Sequence, residues 1–177
     1  MKKTLLDASS AILLFKAGLL KELTNVYHVF VTGAVLQELS CENHHGTDTF
    51  LRYVSLQKIR VADGEKIPSR SEIFPTSLCA LDQGELDTIM CFAFGNYDFI
   101  ITDDGKAARY CKENRLPFIN ALLFPRLLNF AGFMSHQASN DKMDAIIRFG
   151  RYSREIIEWA RSCRKESLTF AIPGAAA

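Results

Sequence analysis

At 177 residues, the chain has the length of one domain of about 100–200 residues. Hydrophobic residues make up 48% and charged residues 23%, which excludes disordered, collagen-like and low-complexity classes. Lys and Arg number 21 against 20 Asp and Glu, so no whole-molecule field attracts a polyanion, and any nucleic-acid contact must come from a local patch.

Thr4 to Leu6 reads as a short strand, and Leu14, Leu19, Leu20 and Leu23 share one face of a helix predicted over Ala11 to Leu23. Tyr27 to Val31 is β-branched and aromatic, a strand, after which Thr32 is placed to cap a helix through Leu39. Asn43 to Thr47 is polar loop, Phe50 to Leu56 a short helix, and Lys58 to Ala62 a strand or sheet edge. Asp82-Gln83-Gly84-Glu85 has the form of a capping box, and Leu86, Ile89, Met90 and Ala93 continue a helical stripe up to Gly95. Tyr97 to Thr102 is a nearly continuous apolar run, as a buried parallel strand is, and ends in Asp103-Asp104. A helix from Lys106 to Asn114, a last strand at Pro117 to Ile119 and a helix from Leu122 to Phe130, stopped by Gly132, follow. Ser139 to Lys165 forms one or two polar-faced helices, and Ala171 to Ala177 a loose tail. Strands alternating with helices give an α/β fold with a mainly parallel sheet.

The five cysteines are odd in number and contain no C-x-x-C, which points to a reducing compartment rather than a disulfide scaffold. Asp7 interrupts the apolar N-terminal stretch, and no apolar run reaches the ~20 residues that span a bilayer, so a cytoplasmic protein without membrane contact is expected. No phosphate-binding loop, dinucleotide fingerprint or G-x-S-x-G elbow is present. Cys41, His44 and His45 lack the paired spacing of a zinc site and read as surface loop. Tyr152 and Trp159, seven apart, share a helical face expected to serve packing or dimerisation rather than base stacking.

Ligands of an open parallel sheet bind beyond the carboxyl ends of its strands. Asp7 follows the first strand, with Ser9 and Ser10 after it, and Asp103 and Asp104 follow the strand ending at Thr102. Glu38, Glu85 and Asp87 sit on helices that open on the same rim. Each has an ordinary explanation: Asp7 and one of Asp103 and Asp104 as helix caps, Glu38 as a solvated residue, Glu85 as the capping-box partner, Asp87 as a first-turn charge. As a set they are too many anions for one small space without raised pKa values or a cation between them. Carboxylates without His or thiolate suit Mg²⁺ or Mn²⁺, and the chemistry implied is phosphodiester hydrolysis by a metal-activated water.

In Leu5-Leu6-Asp7-Ala8-Ser9-Ser10, Val31 to Leu39, Leu81 to Ile89 and Ile100 to Arg109, taken in order, the chain resembles the PIN-domain ribonucleases, a family that includes the VapC-type toxins of toxin–antitoxin pairs. The resemblance spans roughly Leu5 to Gly132. It implies a three-layer α/β/α sandwich, with a nuclease domain over residues 1–135, a helical extension at 136–170 packed on the same domain, and a tail at 171–177. It also implies Asp7, Glu38, Glu85 and Asp104 as the catalytic, metal-holding acids. Asp87 and Asp103 are close substitutes for the last two, otherwise supporting them. Ser9 matches a hydroxyl residue that holds Asp7 or a water, and Thr102 does the same beside Asp104. RNA is the implied substrate, Mg²⁺ or Mn²⁺ the cofactor, and a homodimer and an antitoxin protein the implied partners. The extension is longer than many short toxin relatives carry, and is expected to cover a dimer face or bind a partner.

RNA needs cations beside the acids, and Lys106 and Arg109, just past Asp104, are the best phosphate candidates. Two other readings are a non-catalytic RNA- or protein-binding module that retains the fold, and a haloacid-dehalogenase-type phosphatase. The phosphatase needs an Asp two residues after its nucleophile, where this chain has Ser9.

Overall fold

We describe residues 1–41, 46–62 and 81–174 in a computed structural model. Five short strands, β1 (Lys3–Leu6), β2 (His28–Val31), β3 (Ile59–Val61), β4 (Phe99–Ile101) and β5 (Phe118–Ile119), form one all-parallel sheet in the order β3-β2-β1-β4-β5. β1 is central, with Leu5 paired to Phe30 on one side and to Ile100 on the other. Side chains alternate across a strand, so Leu6, Val29, Val31, Phe99 and Ile101 enter one core while Leu5 and Ile100 enter a second.

The larger core is covered by α1 (Ala8–Lys16), α2 (Leu20–Val26), α3 (Gly33–Leu39), α4 (Thr47–Ser55), α7 (Phe124–Phe130) and α8 (His136–Phe149). The smaller lies under α5 (Gln83–Phe94) and α6 (Gly105–Glu113). Helices on both faces of a parallel sheet make the expected α/β/α sandwich. Cys41, Cys91, Cys111 and Cys163 are free thiols, and among the described residues no helix is long and apolar enough to cross a membrane.

The structure corrects the sequence reading at Gly18 and in the tail. The helix expected over Ala11 to Leu23 is two, because Gly18 takes a left-handed conformation at φ +66° and breaks the helix between α1 and α2. Both helices press leucines into the same core, so the apolar periodicity runs on across the break. The tail expected from Ala171 is tied down over its first residues: Ala171 and Ile172 are buried, and the Tyr27 hydroxyl donates to the Ala171 carbonyl at 2.5 Å. His44 and His45, the polar segment over 43–45, and residues 175–177 lie outside the described residues.

The C-terminal region comprises α8 and α9 (Arg154–Ser162), followed by a 3₁₀ turn at Lys165–Leu168. Met143 and Ile146 of α8, Ala160 of α9 and Leu168 all enter the larger core, so this region shares the core of the sheet. Tyr27→Phe leaves the buried Ala171 carbonyl without its donor. The expected cost is about 1 kcal/mol, a fall in Tm of about 2–4 °C by calorimetry.

Candidate active site

The chain crosses from one side of β1 to the other before entering β4, and such a switch point opens a crevice at the carboxyl ends of the two strands. Asp7 leaves β1 and Thr102, Asp103 and Asp104 leave β4, and the Asp7 amide donates to the Ile101 carbonyl at 3.1 Å. The two strand ends therefore present their acids side by side.

Asp7 is 3% exposed and caps α1. Its Oδ1 accepts the Ser10 amide at 2.7 Å and the Ser9 hydroxyl at 3.0 Å, while Oδ2 accepts the Thr102 hydroxyl at 2.5 Å. Burial raises its pKa above the usual carboxylate value, and the hydrogen bonds from Thr102, Ser10 and Ser9 pull against it. Thr102 also accepts the Asp104 amide at 3.3 Å, so one hydroxyl ties the first acid to the last.

Asp103 turns the other way. Its Oδ2 accepts the Ser10 hydroxyl at 2.7 Å and the Ala121 amide at 2.8 Å, and its Oδ1 accepts the Tyr152 hydroxyl. Burial pushes its pKa up to about 6, against the bonds from Tyr152, Ser10 and Ala121. With both oxygens engaged by the protein, Asp103 braces the turn that carries Asp104. Tyr152 does not share a helix with Trp159 as the spacing suggested. It lies in the loop between α8 and α9, because Ser153 caps a new helix there. Gly150 makes room for it, since a Cβ at that position would collide with the Tyr152 ring.

Asp104 caps α6, its Oδ1 accepting the Lys106 and Ala107 amides at 2.7 and 2.9 Å. Glu85 completes the capping box of α5, its Oε2 accepting the Asp82 amide at 3.0 Å. The carboxyls of Glu85 and Asp104 lie within hydrogen-bond reach of each other. Partial burial first, then the charges of Asp104 and Asp82, push Glu85 up to about 7, against the bond from the Asp82 amide. Asp87, two residues on, turns to Gln83 and accepts its Nε2 at 2.5 Å, because residues i and i+2 of a helix point apart.

Glu38 lies on an exposed part of α3, which packs against α5. A Cβ at Gly84 would stand 3.7 Å from Glu38 Oε2, so this carboxylate reaches the residue next to Glu85. Asp7, Asp103, Asp104, Glu85 and Glu38 thus gather on one rim, and the capping roles of Asp7, Asp104 and Glu85 are the means that hold three of them there.

Among the described residues, no three His, Cys, Asp or Glu side chains stand close enough to enclose a metal ion. The donor chemistry nonetheless fits a hard divalent cation. The groups are carboxylate and hydroxyl oxygens only, and the charge of Asp104 acting on Glu85 is of the kind a cation would offset.

Lys106 is exposed in the first turn of α6 and gives its backbone amide to Asp104, while Arg109, one turn on, lines a cleft of about 1080 Å³ whose wall includes Ser9, Thr102 and Asp103. Ser10 and Tyr152 are the contributors that sequence reasoning missed. The doubled serine after Asp7 was a signal for the first, whereas nothing local marks a tyrosine that acts on a residue 49 positions earlier.

A family model described as a PIN domain matches residues 3–158. No curated protein and no solved structure matches the chain.

Proposed function

Since the chain belongs to the PIN-domain family, whose members are generally nucleases, we propose that it is a ribonuclease in which Asp7, Glu38, Glu85 and Asp104 hold Mg²⁺ or Mn²⁺. The observation that carries the reading is the meeting of Glu85 and Asp104, delivered by two different helices to the switch point, where partial burial and then the Asp104 charge raise Glu85 to about 7. When bound, the cation would activate a water for in-line attack and offset charge on the phosphate.

The chain's own residues set the stage for that chemistry. Ser9, Ser10 and Thr102 fix both oxygens of Asp7, so its charge is aimed before a substrate arrives. Asp103 holds the loop between β4 and α6 through Ser10, Ala121 and Tyr152, which leaves Asp104 in one position. Arg109 faces the cleft beside the acids, where it supplies charge to a phosphate. In this reading the protein is cytoplasmic, homodimeric and the toxin partner of an antitoxin protein. Solution mass tests the dimer, and co-purification with the product of a neighbouring small gene tests the pairing.

The test is cleavage of a mixed single-stranded RNA panel with Mn²⁺, Mg²⁺ or EDTA. Cutting with either metal and none in EDTA is expected. An uncut panel together with no Mn²⁺ binding by calorimetry would instead leave a non-catalytic binding module.

A further inference from the structure

The cleft beside the acids is walled on one side by the C-terminal region, and that wall carries ring faces with no structural task evident in the sandwich. Phe149 at the end of α8 is 49% exposed and Trp159 on α9 is 51% exposed, with Ile156 between them 41% exposed. Ile12 and Leu13 of α1 and Phe118 of β5 also line it. Apolar rings left open to water beside polar chemistry mark a binding surface.

The charge around the rings selects the ligand. Lys16, Arg109, Lys112 and Arg151 line the same cleft, and its one acid among the described lining residues is Asp103, whose oxygens are already engaged by Ser10, Ala121 and Tyr152. A chain of net charge +1 therefore concentrates four cations here. The Lys16 ammonium stands 5.9 Å over the Phe149 ring, which puts a phosphate-binding charge beside a stacking plane. Ser9, Thr102 and Gly105, the chain neighbours of Asp7 and Asp104, line the cleft as well, so it runs alongside the strand ends that carry the acids.

We propose that this cleft is a base-binding subsite, in which an unpaired nucleobase of a nucleic-acid strand stacks on Trp159 and Phe149 while Lys16, Arg109, Lys112 and Arg151 hold the adjoining phosphates. A base within a duplex has both faces covered, so the ligand is a single-stranded segment. The C-terminal region then selects the strand rather than merely covering the sheet. The identity of that strand as substrate rests on the ribonuclease reading.

Trp159 is the sole tryptophan of the chain, so its emission reports on the cleft directly. In EDTA, the full chain is titrated with a short single-stranded RNA of mixed sequence, the same sequence as a duplex, and an abasic strand of equal length. Saturable quenching by the single strand, weak or absent with the other two, is expected. In cleavage with Mn²⁺, Trp159→Ala is expected to raise KM about tenfold with kcat little changed, and Trp159→Phe to restore KM. Equal quenching by the abasic strand or the duplex overturns the proposal. So does cleavage in which wild type and Trp159→Ala share one KM without quenching, a result that leaves the ribonuclease reading standing. Quenching by the single strand in a protein that cuts no RNA sustains the subsite and sinks the ribonuclease reading. An emission unmoved by any strand overturns the subsite and leaves the cleft to a protein partner.

Discussion

Asp104→Asn is expected to lower metal-dependent cleavage at least about 100-fold while leaving the fold intact. The two consequences separate because Asp104 has two tasks. As the cap of α6 it needs one oxygen to accept the Lys106 and Ala107 amides, and an asparagine carbonyl does this about as well as a carboxylate. As a cation-holding acid it needs its charge, which Asn removes. Single-turnover rates with Mn²⁺, read beside thermal melts of both proteins, check this. A variant that melts like wild type and still cuts at the wild-type rate removes Asp104 from the chemistry.

Glu85→Gln is expected to act in opposite directions with and without metal. Gln keeps the capping box by accepting the Asp82 amide, and its NH₂ can donate to Asp104 where the wild-type carboxylate is repelled. The folded chain holds Glu85 at about 7 and the unfolded chain near 4.5, so the native state binds the proton more tightly. The resulting penalty is absent below pH 4.5, grows as pH rises toward 7, and is fully present above it. Such a displacement carries about 3 kcal/mol in a dry site; Glu85 is only part-buried, and water screening leaves roughly 1 kcal/mol. In EDTA at pH 8 the variant is therefore expected to melt about 2–4 °C above wild type, and at pH 4 to melt alongside it. With Mn²⁺ the order reverses, since a lost carboxylate is expected to weaken the cation about tenfold to 100-fold and with it the metal-induced rise in Tm. Differential scanning calorimetry at the two pH values, with Mn²⁺ or EDTA, reads all four conditions. A variant no more stable than wild type at pH 8 in EDTA contradicts the strained pair.

The sheet was legible because burial on both faces leaves a local trace. Phe99-Ile100-Ile101 is apolar throughout, as a strand between two helical layers must be, and the acids that end β1 and β4 stand directly after such runs. Caps were legible for a similar reason: Thr32, Asp82 with Glu85, and Asp104 each act on amides two or three residues away. The break at Gly18 was not, because both helices face one core and the apolar period hides the interruption between them.

By itself, then, the sequence determined what lies within a few residues of each acid: the strand before it, the helix it caps, and the sum of negative charge that asks for a cation. Only the tertiary structure decided which acids meet. Glu85 rather than Asp87 faces Asp104, because helix packing fixes which side of α5 turns toward α6. Asp103 rather than Asp104 is engaged by Ser10, the Ala121 amide and Tyr152, contacts that cross 93, 18 and 49 positions of chain. Such contacts arise when separate elements dock on a common core, and no period, cap or turn in the local sequence encodes them.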